Sequence, residues 1–208
     1  MKLAVMQPYF FPYIGYFELI HKVDVFVFLT NVQYIKNGWV NRNRIKSHTD
    51  DFQYLTVPID RCPQKTKIHD VKIHNSNWHD KHLSTLSHVY GNKIKNIEIY
   101  KHYELCNTLN LNELLQSTIK NCCAYLNIKT KFDESVNFED SSNATQRILN
   151  ICKSLNADEY INLANGKNLY SQKDFGEIKL TFMKNTTHEN KFSILDLCFK
   201  DGITSLDD

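Results

Sequence analysis

A segment near the start of the chain combines prolines, a glycine and aromatic residues in a spacing that suits ligand binding. The segment QPYFFPYIGYF, Gln7 to Phe17, follows a short apolar stretch of strand type. Parallel sheets place their binding crevice at such a strand-to-helix junction, where the helix offers unpaired N–H groups to an anion. Two prolines fix the turn, and Gly15 permits close backbone approach. We predict ligand contacts at Gln7, Pro8, Tyr13 and Gly15; the alternative is an aromatic turn of the core.

A second cluster of polar side chains follows the next buried strand, between Asn31 and Arg44. Arginine and lysine can clamp a pyrophosphate, amides can bind sugar or base edges, and an indole can stack on a base. This loop belongs to the same carboxyl edge of the sheet as the first segment. The alternative is a solvated polar loop. The predicted binding residues here are Gln33, Lys36, Trp39, Asn41, Arg42 and Asn43.

A third candidate lies at Ala157 to Tyr170, where a buried strand ends at Asn162 and a turn follows. The turn could present its backbone and the ammonium group of Lys167 to a ligand. A plain left-handed turn at Asn165-Gly166 is an equal explanation. We predict substrate contacts at Asn165 and Lys167.

Other kinds of site are disfavoured. The histidines between Ile68 and Val89 lack a metal-ligand signature, so we predict surface histidines and no metal site. The chain has no G-x-S-x-G elbow, Walker loop or G-x-G-x-x-G, and no motif requires a cofactor. Cys122, Cys123 and Cys152 lie in apolar helical patterns, which favours packing over nucleophilic catalysis.

The elements that must position these residues predict an α/β fold. A strand at Lys2–Met6, a helix at Ile14–Val23 and a buried strand at Val25–Leu29 form a βαβ start. We predict a mainly parallel, Rossmann-like sheet with flanking helices in a single domain, residues 1–208. Residues 77–126 are predicted to form a helical subdomain inserted in the middle. Further predicted elements are strands at Phe52–Val57, Ile68–Ile73, Lys129–Phe132, Tyr160–Leu163 and Glu177–Met183 and helices at Asn77–Tyr90, Ile97–Cys106, Leu111–Leu126 and Asn143–Leu155.

Composition excludes several classes of protein. The chain of 208 residues has 25 basic and 23 acidic side chains, a formal charge of 25 − 23 = +2, which disfavours recruitment to nucleic acid or to an anionic membrane by bulk charge. No apolar run is long enough to span or enter a membrane, and no signal peptide is visible, so we expect a cytoplasmic protein. Six scattered cysteines indicate free thiols. The sequence predicts no particular oligomeric state.

The segments QPYFFPYIGYF and DVFVFLTNVQYIKNGWVNRNRIK closely resemble the WbqC-like family of bacterial polysaccharide-cluster proteins. The resemblance continues in TQRILNICKSLNADEYINLANGKNLY and FSILDLCFKDG, so it spans nearly the whole chain. One departure is visible: family members usually carry two aspartates where this chain has Thr30-Asn31. We therefore transfer no acid–base role to that position.

The resemblance implies a transferase of O-antigen or other surface-polysaccharide synthesis. It would attach an aminoacyl group, such as glycyl, to the amine of a nucleotide-linked amino-deoxy sugar. Amide formation needs an uncharged amine, a base and stabilisation of the oxyanion. His21 and Tyr16 are candidates for the base.

Two alternatives remain open. The spacing at Pro12 to Tyr16 is similar to the phosphate-binding turn of nucleotidylyltransferase-like folds, which suggests nucleotidyl transfer or ATP-dependent activation of a carboxylate. However, Tyr13 and Tyr16 stand where those folds have histidines, and tyrosine is a poor cation near neutral pH. The other alternative is a non-catalytic scaffold of a glycan-assembly complex. The binding hypothesis requires that the proline-aromatic segment and the polar loop converge on one water-accessible cleft.

Overall fold

The computed structural model describes residues 1–47, 51–184 and 192–206. In chain order the elements are β1 (Lys2–Met6), α1 (Ile14–His21), β2 (Val25–Phe28), β3 (Arg42–Lys46), β4 (Phe52–Thr56), α2 (Trp78–Tyr90), α3 (Glu98–Glu104), α4 (Leu111–Tyr125), β5 (Lys131–Glu134), α5 (Ala144–Ser154), β6 (Glu159–Asn162), α6 (Gln172–Phe175), β7 (Lys179–Phe182) and α7 (Ile194–Asp196). Short 3₁₀ turns lie at Ile68–Asp70, Asn92–Asn96, Ser135–Asn137 and Ala164–Asn168, and a π-helical turn, Leu197–Asp201, continues α7.

The chain divides into two compact units. The first, which we name the sheet unit, comprises Met1–Gln7, Ile14–Asn31 and Lys129–Glu189. The second, the hairpin unit, comprises Pro8–Tyr13, Val32–Ile128 and Asn190–Asp208. The inserted helices α2, α3 and α4 fall within residues 77–126, the segment predicted to be helical. The assignment of this segment as a subdomain of a single domain stays a prediction.

The sheet unit contains a five-stranded parallel sheet with the order β5-β2-β1-β6-β7. From β1 the chain first adds strands on one side of the sheet, β2 and then β5. It then adds β6 and β7 on the other side. The α/β fold class with a mainly parallel sheet is therefore confirmed, and the strand order reverses between β1 and β6.

Apolar side chains cover both faces of this sheet, which explains why its central strands are continuous apolar runs. On one face the side chains of β1, β2 and β6 pack with α5 in a cluster that includes Leu3, Val27, Ile148 and Tyr160. On the other face α1 places Tyr16 against Phe26, with ring centroids 5.4 Å apart. The strands that lead to the carboxyl edge of the sheet are therefore packed on both faces.

The hairpin unit pairs β3 with β4 in antiparallel register and adds α2, α3, α4 and α7. Two predictions were wrong here. Residues 42–44, predicted as the end of a polar loop, instead begin the strand β3, in which Asn43 and Ile45 are buried while the basic residues stay partly exposed. Residues Ile68–Ile73, predicted as a strand, form a 3₁₀ turn followed by two isolated bridges, Lys72 with Asn110 and Ile73 with Ile59.

Side-chain capping explains where two of the long helices begin. The side chain of Asn143 accepts a hydrogen bond from the backbone N–H of Gln146 at 3.0 Å, as expected of an N-cap residue. Asn110 does the same with Glu113 at 3.3 Å. Asn77 occupies the corresponding position before α2 without a capping bond.

None of the helices within residues 1–47, 51–184 and 192–206 combines the length and apolar character needed to cross a bilayer.

Candidate functional site

The strand order places a crevice between β1 and β6 at the carboxyl edge of the sheet. Pairing between these strands ends at Leu3 and Tyr160, although β1 continues to Met6 and β6 to Asn162. The carboxyl ends of the two strands therefore separate. Open α/β sheets bind ligands where neighbouring strands lead to opposite sides of the sheet, which is the position of this gap.

Gln7 and the Ala164–Asn168 turn follow the two strands that border this gap. Gln7 is half-buried, and its carbonyl oxygen accepts a hydrogen bond from the hydroxyl of Tyr16 at 3.0 Å. Asn165 and Lys167 are exposed on the turn that follows β6. The structure therefore associates three of the predicted ligand-binding residues with the two strands at the reversal point.

The turn after β6 needs glycine for space rather than for its backbone conformation. Neither Asn165 nor Gly166 has a positive φ, so the alternative explanation, a plain left-handed turn, is wrong. A Cβ atom on Gly166 would lie 2.6 Å from Nδ2 and 2.9 Å from Cγ of Asn162. The buried amide of Asn162 also accepts a hydrogen bond from the N–H of Leu163 at 2.8 Å. Gly166 thus lets the turn pack directly on the end of β6.

Replacing Gly166 by alanine is expected to lower the free energy of unfolding by about 1–3 kcal/mol, because the added methyl group must displace the Asn162 side chain from a packed position. Urea unfolding of both proteins measures the difference. Asn165→Ala is the matched control, since its side chain is exposed on the same turn and its loss should change stability by less than about 0.5 kcal/mol. Equal stabilities of the two variants would contradict the close-approach argument.

A second polar cluster lies at the same edge, where β2 and β5 end. The backbone N–H of Thr30 donates to Oγ of Ser135 at 2.9 Å, and the Thr30 hydroxyl donates to a carboxylate oxygen of Glu134 at 2.7 Å. The Ser135 hydroxyl in turn donates to Oδ1 of Asn31 at 2.8 Å. Thr30-Asn31 is therefore linked to a carboxylate from the neighbouring strand, a residue that the sequence patterns did not single out.

The two residues predicted as possible bases occupy poor positions for that role. Tyr16 is fully buried and its hydroxyl donates to a backbone carbonyl. His21 is exposed at the end of α1, which runs back from the carboxyl edge. The neighbouring Ile20 carbonyl accepts a hydrogen bond at 2.7 Å from Thr130, the residue before β5 begins. His21 therefore lies at the amino edge of the sheet, opposite the crevice.

The hairpin unit brings the middle of the proline-aromatic segment against the polar loop. Phe11 has a φ of +39°, in the left-handed region that a bulky residue rarely adopts. Its carbonyl oxygen accepts hydrogen bonds from Nδ2 of Asn43 at 2.7 Å and from the hydroxyl of Ser193 at 2.9 Å. The N–H of Phe10 also donates to the carbonyl of Trp39 at 3.3 Å. These bonds hold a strained backbone conformation, a feature often found at functional sites.

The amides of the polar loop serve the fold in this structure. Nδ2 of Asn41 donates to the carbonyl of Val57 at 2.8 Å, and its Oδ1 accepts from the hydroxyl of Tyr34 at 2.8 Å. Asn43 is also buried, and its Oδ1 accepts from the N–H of Arg44 at 2.8 Å. Both amides are thus committed to internal partners.

Among the other predicted contacts, Pro8 and Gly15 are buried, Tyr13 is half-buried, and Gln33 and Lys36 are exposed.

The arginines of the loop and hairpin stack on aromatic rings at the surface. The guanidinium of Arg42 lies 4.6 Å from the ring centroid of Tyr54 and donates to the carbonyls of Asn37 and Gly38. Arg44 lies 5.2 Å from the ring centroid of Trp39. Trp39 is 43% exposed, so its outer face is open to solvent. A partly exposed indole beside a guanidinium can stack with a planar ligand.

One histidine differs from the prediction. His82 is buried, where its Nδ1 lies 2.8 Å from the Tyr103 hydroxyl and its Nε2 lies 3.1 Å from the carbonyl of Thr56. It is a core residue, and the prediction of surface histidines was wrong for this position.

Within the described part of the chain, no group of three or more His, Cys, Asp or Glu residues is arranged to hold a metal ion. Burial raises the pKa of the Cys152 thiol to about 12, which argues against a nucleophilic role.

Comparisons with known proteins extend this description. The WbqC-like protein family matches residues 7–208. A relative described as "Uncharacterized protein Rv1507c", from Mycobacterium tuberculosis (strain ATCC 25618 / H37Rv), is 30% identical over 226 residues, which cover 99% of this chain and 96% of that protein. No solved structure matches. Since the family match covers nearly the entire chain, from the residue after β1 onwards, this protein belongs to the WbqC-like family.

Proposed function

We propose that this protein binds a nucleotide-linked amino sugar and transfers an aminoacyl group, such as glycyl, to its amine. The observation that carries the proposal is the reversal of strand order between β1 and β6, where the strand ends separate. Parallel α/β sheets hold nucleotides at this position. The resemblance to WbqC-like proteins supports surface-polysaccharide (O-antigen) synthesis as the context, and a cytoplasmic reaction is part of the proposal.

The side chains at the gap suit such a ligand. Lys167 provides a cation for a diphosphate, and the amides of Gln7 and Asn165 provide donors and acceptors for sugar hydroxyl groups. All three belong to the sheet unit and follow the strands that border the gap. Ligand binding at the gap therefore needs no residue that is committed to the packing of the sheet.

The carboxylate of Glu134 suits the role of base. In the proposed step, the amine nitrogen attacks the acyl carbon of an activated aminoacyl donor, such as an ester or thioester. The C–N bond forms, the bond to the leaving group breaks, and the amine proton passes to the carboxylate. Glu134 is the last residue of β5 at the carboxyl edge, half-buried and oriented by the Thr30 hydroxyl. Neither Tyr16 nor His21 has a comparable position.

Binding is tested by thermal shift with a dTDP-linked 4-amino-4,6-dideoxy sugar, compared with dTDP-glucose. We expect the amino sugar to stabilise the protein, and Lys167→Ala to weaken its binding about tenfold because one cation facing the diphosphate is lost. Lys22→Ala is the control, since Lys22 is exposed just after α1, at the amino edge of the sheet. Absence of a shift with any nucleotide sugar at millimolar concentration would refute the binding half of the proposal.

Catalysis is tested with Glu134→Gln, which keeps the shape of the side chain and an acceptor for the Thr30 hydroxyl. Turnover, followed by mass spectrometry of the acylated sugar, is expected to fall about 100-fold with little change in sugar binding. Thr30→Val, which removes the orienting hydroxyl but keeps the carboxylate, should cause a smaller loss. Full activity of Glu134→Gln would exclude the carboxylate as the base.

A further inference from the structure

A cavity of about 240 Å³ lies in the hairpin unit, and none of the residues that line it is among the predicted site residues. Lys46 at the end of β3, Tyr90 at the end of α2 and Lys93 in the following 3₁₀ turn line one part of it. Asp196, Phe199 and Lys200, from α7 and its continuation, line the remainder. Four separate segments of the chain thus build one polar hollow.

The cavity concentrates positive charge in a chain that is nearly neutral. Three of its lining residues are lysines, whereas the formal charge of the whole chain is only +2. Among residues 1–47, 51–184 and 192–206, no carboxylate forms an ion pair with Lys46, Lys93 or Lys200. The ammonium groups of Lys93 and Lys200 are therefore available to an anion that enters from solvent, whereas that of Lys46 lies 5.9 Å from the ring centroid of Phe192.

The one acidic residue of the cavity is held within its wall. Asp196 is only 1% exposed, and its carboxyl group accepts hydrogen bonds from the hydroxyl of Tyr90 at 3.1 Å and the backbone N–H of Lys46 at 3.2 Å. Burial raises the pKa of Asp196, while these two donors and the charges of Lys46 and Lys200 oppose the rise. The carboxyl group thus joins three segments of the wall and leaves an excess of cations facing the cavity.

We propose that this cavity binds the phosphate or diphosphate group of a ligand. Lysine ammonium groups are effective ligands of phosphate oxygens, and the side chain of Phe199 provides an apolar wall beside them. Pockets for whole drug-sized ligands have volumes of about 300–1,000 Å³, so a cavity of about 240 Å³ suits a small anion or one end of a larger molecule. This inference goes beyond the proposed function and does not rest on it.

The test is calorimetric titration of the full chain with inorganic pyrophosphate at constant ionic strength. Lys93→Gln and Lys200→Gln are each expected to weaken pyrophosphate binding about tenfold. Lys95→Gln is the matched control: Lys95 is exposed two residues from Lys93 in the same 3₁₀ turn but does not line the cavity, so its loss should leave affinity unchanged. Circular dichroism of each variant confirms folding.

A second titration identifies the source of the phosphate. If the cavity holds the diphosphate of a nucleotide, dTDP binds, and Lys93→Gln lowers the affinity for dTDP as it lowers the affinity for pyrophosphate. If the cavity takes only free phosphates, Lys93→Gln lowers the affinity for pyrophosphate alone. Either result supports the inference. Equal pyrophosphate affinity of the Lys93→Gln and Lys95→Gln variants, or no binding at millimolar pyrophosphate, would overturn it. The Lys167 and Glu134 variants act on the sheet unit, so failure here is distinguishable from failure of the proposed transferase function.

Discussion

Replacing Asp196 by alanine is expected to lower the free energy of unfolding by about 3–4 kcal/mol. The substitution leaves the buried Tyr90 hydroxyl and the partly buried backbone N–H of Lys46 without their acceptor. Each loses a hydrogen bond to an acidic group, worth about 1.5–3 kcal/mol when the acceptor is charged. Urea unfolding at neutral pH measures the loss.

Two further substitutions separate the hydrogen bonds from the packing. Asp196→Asn keeps an oxygen that can accept from both donors, so its cost should be well below that of alanine. Tyr90→Phe removes one donor and should cost about 1.5–2 kcal/mol, because it loses one of the two hydrogen bonds. If Asp196→Asn destabilises the protein as much as Asp196→Ala does, the oxygens of Asp196 do not stabilise the fold by accepting these two hydrogen bonds.

The parallel sheet could be predicted because its strands carry a strong local signal. Val25–Phe28 is a continuous apolar run, and such runs are typical of strands covered on both faces. The strand β3 carried the opposite signal. Its sequence is RNRIK, and only Asn43 and Ile45 are buried, so the alternation that marks a strand was hidden by a buried amide. The arginines of β3 find their partners in aromatic rings of the neighbouring loop and strand, which no periodicity shows.

The sequence could predict those residues of the candidate site that directly follow a strand. It could not predict those that come together only through contacts between distant parts of the chain. Gln7, Asn165 and Lys167 follow strands, and the rule that ligands bind at the carboxyl edge of a parallel sheet was sufficient to select them. The link between Thr30 and Glu134 joins residues 104 positions apart. The lysine-lined cavity likewise combines residues from positions 46 to 200. Neither group forms a local motif.

Chemical type also proved a poor guide to solvent exposure. Asn41 and Asn43 are predicted binding residues because amides bind sugars, yet both donate to backbone carbonyls, those of Val57 and Phe11. The same groups that recognise a ligand also satisfy buried backbone atoms, and buried polar groups are nearly always paired. Their part in binding stays a prediction, and it would require these internal bonds to be exchanged for ligand contacts.

His82 is expected to make the hairpin unit sensitive to acid. The carbonyl of Thr56 can only accept, so Nε2 of the neutral ring carries the hydrogen, and Nδ1 accepts from the Tyr103 hydroxyl. Burial lowers the pKa of His82 from 6.5 to about 4; the Thr56 carbonyl opposes this change, and the charge of His79 adds to it. A proton on Nδ1 would also remove the acceptor for Tyr103.

The sign of the effect follows from comparing the two states. Above pH 6.5 the ring is neutral in both, and its contribution to stability is complete. As the pH falls below 6.5, the imidazole of the unfolded chain becomes protonated, whereas His82 of the folded protein stays neutral down to about pH 4. The free energy of unfolding therefore falls by about 1.4 kcal/mol per pH unit, and by about 3 kcal/mol in total. Asp196 acts in the opposite direction, because its pKa is raised in the folded state.

Urea unfolding at a series of pH values from about 7 to about 4 isolates the contribution of His82 when the protein is compared with His82→Gln. Glutamine does not titrate, so the variant should lose about 3 kcal/mol less than the unsubstituted protein over this range, whatever its stability at neutral pH. His88→Gln, at an exposed position of the same helix, should retain the full acid-dependent loss. The two variants differ only at residues 82 and 88. If their free energies of unfolding depend on pH in the same way, protonation of the buried His82 ring is not the cause of the acid-dependent loss.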